Sequence, residues 1–364
     1  MESSILCPRP LKPLLYQGKW KSFNRWKSFY TTMKVLVIGG TGNISRRIVS
    51  ALLNRNHQVT IFNRGQHPDS PPEEVETIIG DRKQRAHFEQ TMKANIFDVV
   101  IDMISFNEED AASAIRAFEG RIQHFIQCST VMTYGPPFPR NGINITENDC
   151  LNGKSTYALG KIAADNLLLK SYLEDDFPVT ILKPSYTYGP GVNVHRQIGG
   201  DGSWIDRLRK GKPILSAGDG SNLFQFLSSH DAGEGFAEVI DTKECLGQVY
   251  NIVNPDPITW NQWYCSVAKA LEVEIRTVPV AQETLVAINA ERFKGLADNF
   301  GHTQVFDNQK LAKVIPNFQP KTPLVESLLE NIEWMDQHNR IPNSDEDLLE
   351  DKIISAIRKL PTQI

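Results

Sequence analysis

The chain has no CxxC pair, no long apolar run, no internal repeat and no low-complexity tract. Its five cysteines, Cys7, Cys128, Cys150, Cys245 and Cys265, are odd in number and scattered. Neither a disulfide framework nor a zinc site is expected from such spacing, no metal is expected, and a reducing, cytoplasmic setting fits best. Nothing approaches the roughly 18 consecutive apolar residues that a membrane-spanning helix needs. A basic excess is also missing. Lys and Arg total 39 against 43 Asp and Glu, a formal net charge of -4, so no general attraction to nucleic acid or anionic lipid is expected.

The charge is unevenly placed. Residues 1–32 carry Arg9, Lys12, Lys19, Lys21, Arg25 and Lys27 against Glu2 alone, which leaves 33 basic and 42 acidic residues in the remainder, a net of -9. This basic extension lacks the continuous apolar core of a secretory signal and is expected to be disordered. A transit-like leader, a disordered arm and a start read too early all fit, the last because Met33 stands directly before the first predicted strand.

What is present is an alternation of strands and helices. Lys34–Ile38 is an apolar run ending in glycines, as a strand buried on both faces of a parallel sheet requires. Asn43–Arg55 places Ile44, Ile48, Ala51 and Leu52 on one helical face. Further strands are predicted at Gln58–Phe62, Val75–Ile79, Phe97–Ile101, Gln123–Gln127 and Val179–Leu182, with helices at Glu108–Phe118 and Thr156–Tyr172. This spacing argues for a doubly wound α/β sheet of Rossmann type over 33–187, with ligands bound at the C-terminal ends of its strands. Beyond it, 188–340 reads as a smaller substrate lobe, of which about 226–253 returns to the sheet, and 341–364 reads as a tail.

Between the first strand and its helix lies Gly39-Gly40-Thr41-Gly42-Asn43-Ile44-Ser45. Glycines here let the backbone turn tightly and approach a pyrophosphate seated at the positive end of the helix. The position of the usual third glycine is taken by Ser45, which suggests looser helix–sheet packing. About 20 residues on, where NAD sites place an acid for the ribose hydroxyls, the chain has Asn63-Arg64. No carboxylate repels a 2′-phosphate there, and Arg64 is placed to pair with one, so NADP is favoured over NAD. Asp81 is placed to accept from the adenine amino group.

Tyr157 and Lys161 lie four apart on a predicted helix and so share a face. An ammonium beside a phenol favours the phenolate, which makes Tyr157 a proton shuttle for hydride transfer at a carbinol carbon.

With these elements the chain resembles the extended short-chain dehydrogenases/reductases, in their nucleotide-sugar epimerase/dehydratase branch. The resemblance runs from about Lys34 to Trp334 and rests on GGTGNIS, GDRK (from Gly80), STVMTYG (from Ser129), YALGK (from Tyr157), KPSYTYGPG (from Lys183), GDGSN (from Gly218) and PNFQP (from Pro316). It implies a Rossmann fold, a nicotinamide cofactor, and Tyr157 and Lys161 as catalytic residues. Thr130 would bond the reacting oxygen, with Ser129 the next candidate. Homodimers are common in the family.

Two departures bear on the reaction. Dehydratases of the family place an acidic pair where this chain has Val131 and Met132, which disfavours dehydration. Nucleotide-sugar members carry a diphosphate-binding arginine at the position of Phe224, in Leu223-Phe224-Gln225-Phe226. Arg207, Arg209, His195 and Arg196 are candidate substitutes, and Trp260 is either a stacking platform or a core residue. The expected activity is that of an epimerase or keto-reductase on a sugar-like, possibly nucleotide-linked substrate. The alternative is a non-catalytic RNA-binding scaffold resembling chloroplast stem-loop-binding proteins, which share the glycine turn, the GDRK element and the sheet.

Overall fold

A computed structural model of the chain describes residues 32–67, 70–136, 138, 144–199 and 201–359. The basic extension, apart from Thr32, lies outside the described residues. The described residues divide into two compact units, one within 32–185, 232–253 and 306–319, the other within 186–231, 254–305 and 320–359.

The first unit is built on β1 (Lys34–Ile38), α1 (Asn43–Asn54), β2 (Gln58–Asn63), β3 (Glu76–Ile79), α2 (Arg85–Lys93), β4 (Val99–Asp102), α3 (Glu108–Phe118), β5 (His124–Cys128), α4 (Thr156–Asp175) and β6 (Val179–Pro184). The chain returns to it with α6 (Ser229–Val239), β11 (Gln248–Ile252) and α9 (Gln309–Val314). Seven parallel strands lie in the order β3-β2-β1-β4-β5-β6-β11. The order reverses at β1, where Ile38 faces Phe62 on one side and Asp102 on the other. That reversal is where doubly wound sheets open a crevice for ligands. The strands form because their apolar runs are buried on both faces: β4, β5 and β6 are buried throughout. Edge-to-face and tilted rings of Phe62, Phe88, Phe118, Phe125 and Phe177 fill the layer between sheet and helices.

The second unit holds β7 (Tyr186–Tyr188), α5 (Ser203–Arg209), β8 (Ile214–Ala217), β9 (Leu223–Phe224), β10 (Phe226–Ser228), β12 (Ile258–Thr259), α7 (Trp260–Ala270), β13 (Thr277–Val280), α8 (Gln282–Ile288), α10 (Leu324–Gln337) and α11 (Leu349–Arg358). Its sheets are two-stranded pairs, β10-β7, β12-β9 and β13-β8. Its core is aromatic: Trp204, Trp260, Trp263 and Tyr264 are fully buried, and Phe226 stacks on Trp263 with ring centres 3.9 Å apart. Helix α7 starts at Thr259 because a capping box joins that residue to Gln262. The segment read as a tail contributes α11, whose Ile353 and Ile354 are buried in a cluster with Leu215, Val280 and Leu285.

Among the described residues no helix is long and apolar enough to cross a membrane. Cys128, Cys245 and Cys265 are free thiols.

Candidate active site

Helix α4 begins where Ser155 accepts the backbone N–H of Ala158. From that cap it carries Tyr157, Lys161 and Asp165 at intervals of four, on one face. They meet the segment that follows β5. There Thr130 caps a single 3₁₀ turn over Val131–Thr133 by accepting from Met132 N–H at 3.2 Å, and its hydroxyl is near enough to the Tyr157 phenol to favour the phenolate. Ser129 is buried and donates to Asp165 Oδ2 at 2.6 Å. The structure therefore brings Tyr157, Lys161, Thr130 and Ser129 together, but the hydroxyl of Ser129 is committed to a carboxylate.

Lys161 is buried, with its ammonium donating to the carbonyls of Cys128 at 2.6 Å and Ser105 at 2.8 Å. It lies over the Phe106 ring, 4.7 Å from its centre, and 5.9 Å from the centre of the Tyr157 ring. Burial holds its pKa below the usual lysine range. The expectation that this ammonium lowers the Tyr157 pKa is corrected. Desolvation raises that pKa well above the ordinary tyrosine range, the nearby Cys128 thiol and Asp165 add to the rise, and the Thr130 hydrogen bond opposes it. The phenol is thus held protonated, although the residue is 41% exposed.

The glycine turn follows β1. Gly39 adopts φ +87, and a Cβ there would lie 2.6 Å from Ile104 Cγ2; at Gly40 it would collide with Ile61. Gly42 differs. Its φ is -73, and a Cβ would meet only Ser45 Oγ at 3.5 Å. No protein atom requires glycine there, so the space a side chain would fill is left for something else. Gly42 caps α1 without a side-chain hydrogen bond, and the first turn has no acid, which leaves backbone N–H groups and the positive helix end to an anion. These residues fit a dinucleotide pyrophosphate, with Thr41, Asn43 and Ile44 in the same turn. Ser45 is buried where the third glycine was sought.

At the end of β2, Asn63 Oδ1 accepts the N–H of Gly65 at 2.6 Å, while Arg64 is exposed. Asp81 is half-buried, and its Oδ1 accepts from Lys83 N–H at 2.9 Å. Beside it Arg82 enters the interior and pairs with fully buried Asp102 at 2.8 Å. Burial raises the Asp102 pKa, and the charge of Arg82 opposes the rise.

The second unit's candidates for a diphosphate are otherwise engaged. Arg196 meets both oxygens of Glu350 at 3.0 and 2.9 Å. Arg207 pairs with Asp351 at 2.9 Å, and Arg209 forks onto Asp336 at 2.7 and 2.6 Å. His195 packs 4.5 Å from the Phe300 ring centre, and burial lowers its pKa to about 4, so it is neutral at pH 7. Phe224 and Trp260 are buried core residues, their ring centres 5.1 Å apart. The idea that these basic groups replace the missing arginine is thereby corrected, and Trp260 belongs to the core.

Sequence reasoning missed Asp165, Lys183, Ser105, Arg82 and Asp102. Asp165 left a signal one further turn along the Tyr157–Lys161 face, and Arg82 and Lys183 stand inside the GDRK and KPSYTYGPG motifs, but their contacts are distant in sequence.

A parallel sheet that reverses order at β1, a glycine turn on its first helix and a Tyr–Lys pair beyond its fifth strand define a dinucleotide-dependent enzyme. The chain belongs to the NAD dependent epimerase/dehydratase family, whose model matches residues 35–253. It is therefore an NAD(P)-dependent extended short-chain dehydrogenase/reductase, of the type that includes epimerases, dehydratases and reductases. It is 27% identical to 2'-dehydrokanamycin reductase of Streptomyces kanamyceticus over 85% of this chain and 86% of that one. It is 25% identical to chloroplast stem-loop binding protein of 41 kDa b of Arabidopsis thaliana over 82% and 78%. The crystal structure of UDP-glucuronic acid 4-epimerase from Bacillus cereus with UDP-glucuronic acid and NAD shares the fold, with a TM-score of 0.65, 18% identity, and 84% and 100% coverage.

Proposed function

We propose that this enzyme reduces a ring ketone of a sugar-like substrate carrying no diphosphate, or oxidises the matching carbinol, and prefers NADP to NAD. The observation that carries the proposal is the Tyr157 phenol, exposed beside the buried Lys161 ammonium and protonated at neutral pH as a tyrosine ordinarily is. A protonated phenol is a general acid for a carbonyl oxygen that gains negative charge. The nicotinamide, when bound through the glycine turn, supplies or accepts the hydride. Tyr157 gives its proton to the oxygen of the reacting carbon, and the Thr130 hydroxyl orients that oxygen. Lys161 anchors α4 to β5 and Ser105 through its two carbonyl contacts. Val131 and Met132 cannot transfer a proton, which argues against dehydration.

The absence of a diphosphate rests on the second unit's own chemistry. Phe224 stands at the family's arginine position, and Arg196, Arg207 and Arg209 are neutralised by carboxylates. The relative named as a 2'-dehydrokanamycin reductase supports the reductive reading. The stem-loop-binding relative raises the RNA alternative, but Lys210 and Lys212 are also paired, both with Asp345, so this stretch offers phosphates little charge.

The test supplies NADPH or NADH with phosphate-free ring ketones, 2'-dehydrokanamycin and an inosose, and with a nucleotide-linked keto sugar. Cofactor oxidation is expected with the phosphate-free ketones alone. Preference for the nucleotide-linked sugar would overturn the substrate class. Epimer interconversion with retained cofactor and no net oxidation would make the enzyme an epimerase.

A further inference from the structure

Beneath the Ser129–Thr133 segment lies a buried ion pair that the reaction does not use. Asp165 on α4 and Lys183 on β6 meet at 3.1 Å, and both side chains are 3% exposed. Each partner also holds one end of the segment. Asp165 Oδ2 accepts from Ser129 Oγ at 2.6 Å. Lys183 Nζ donates to Thr133 Oγ1 at 2.7 Å, and Thr133 Oγ1 donates to the Thr130 carbonyl at 2.9 Å. Thr130 is thus fixed from both sides.

Stability alone explains this arrangement poorly. A buried ion pair is often no better than a well-packed apolar pair, because desolvation offsets the attraction. What the charges add is direction: they fix two hydroxyls that an apolar pair would leave free.

We propose that Asp165 and Lys183 are positioning residues, which hold Thr130 against the Tyr157 phenol through Ser129 and Thr133. The proposal rests on the assignment of Tyr157 and Thr130 to the reaction. Its geometry follows from α4, which brings Tyr157 and Asp165 to the same segment from one rigid helix.

The test needs no substrate. The full chain is prepared with tyrosine isotopically labelled at Cζ and saturated with NADP, and the Tyr157 resonance is identified by its loss in Tyr157→Phe. Thr130→Ala defines the displacement of that resonance when its hydrogen bond is removed. Ser129→Ala and Thr133→Val, which leave both charges in place, are expected to move it in the same direction. Asp165→Leu/Lys183→Met is expected to keep the wild-type melting temperature and still show the displaced resonance. A folded double variant with the resonance at its wild-type position overturns the proposal, as does a Thr130→Ala spectrum without displacement. If the double variant does not fold, Ser129→Ala and Thr133→Val decide alone, and unmoved resonances in both overturn it. Retained turnover in Tyr157→Phe would remove the functional assignment, whereas unmoved resonances remove only this inference.

Discussion

Lys161 donates its ammonium to the carbonyl of Cys128 at 2.6 Å and so ties α4 to the end of β5. Its charge is spent on backbone oxygens, and Tyr157 keeps its proton. Tyr157→Phe should therefore abolish turnover and leave cofactor affinity nearly unchanged, because only the proton carrier is lost. Thr130→Ala should lower turnover on the order of 10²-fold. Cofactor-oxidation rates beside calorimetric cofactor titrations check both, and normal turnover in Tyr157→Phe would falsify the mechanism.

The glycine turn gives a sharper test of cofactor seating. Gly42→Ala should leave the unfolding midpoint unchanged, since its Cβ meets nothing nearer than Ser45 Oγ at 3.5 Å. It should weaken dinucleotide binding, because a methyl group displaces the pyrophosphate from the N–H groups of α1. Loss of one charge-assisted hydrogen bond is worth roughly 1.5–3 kcal/mol, or about 10- to 150-fold in affinity. Undiminished binding would show that the open space at Gly42 is not the phosphate seat.

Much of this was legible in the sequence, and the parts that were not share a cause. The strands of the large sheet announce themselves because parallel strands buried on both faces are continuous apolar runs. Helix α2 went unread because only Phe88 and Met92 on it are buried, a single pair that gives little periodicity. Helix α11 was read as tail because its buried Ile353 and Ile354 are adjacent and its buried Glu350 looks like a surface residue. Tyr157 and Lys161 could be found by spacing, but the state of the phenol could not. It depends on how deeply the folded chain buries the phenol, and on Cys128, brought beside it from 29 residues away in sequence.

The C-terminal acids should separate by burial. Glu350→Ala leaves the buried Arg196 guanidinium without its carboxylate and should destabilise the second unit by about 3–5 kcal/mol. Asp336→Ala removes the partner of the more exposed Arg209 and should cost about 0–1 kcal/mol. Urea unfolding followed by tryptophan fluorescence reports on both, since Trp204, Trp260 and Trp263 are buried in that unit. Equal effects would contradict the burial argument.

Two histidines set an acid limit to stability. His124 is buried against the Ile240 carbonyl and the Thr180 hydroxyl, and desolvation lowers its pKa to about 4; His195 is lowered to about 4 as well. The native state refuses a proton that the unfolded chain accepts near pH 6.5. The stability is therefore fully present above about pH 6.5 and is lost as pH falls towards 4, by about 2 kcal/mol per histidine between pH 7 and 5. His124→Gln should lessen this loss in urea unfolding at the two pH values. A mutant with the wild-type pH dependence would show that His124 is protonated in the native state.

The proposed preference for NADP turns on the end of β2. Asn63 stands where an acid would clasp the ribose diol of NAD, and exposed Arg64 follows it. Phosphate on that ribose brings about two negative charges, which an arginine meets with paired, charge-assisted hydrogen bonds. Arg64→Ala should therefore weaken NADP binding by roughly 1.5–3 kcal/mol, about 10- to 150-fold, and change NAD binding little. Asn63→Asp should invert the preference. Its carboxylate can still accept the Gly65 N–H that Asn63 Oδ1 holds at 2.6 Å, so the turn survives while the new charge repels the phosphate and accepts from the hydroxyls. Calorimetric titration of both cofactors into the wild type and the two variants measures each difference. Tighter NAD than NADP binding by the wild type, or an equal loss of both in Arg64→Ala, would reduce Arg64 to a solvated loop residue and return the enzyme to NAD.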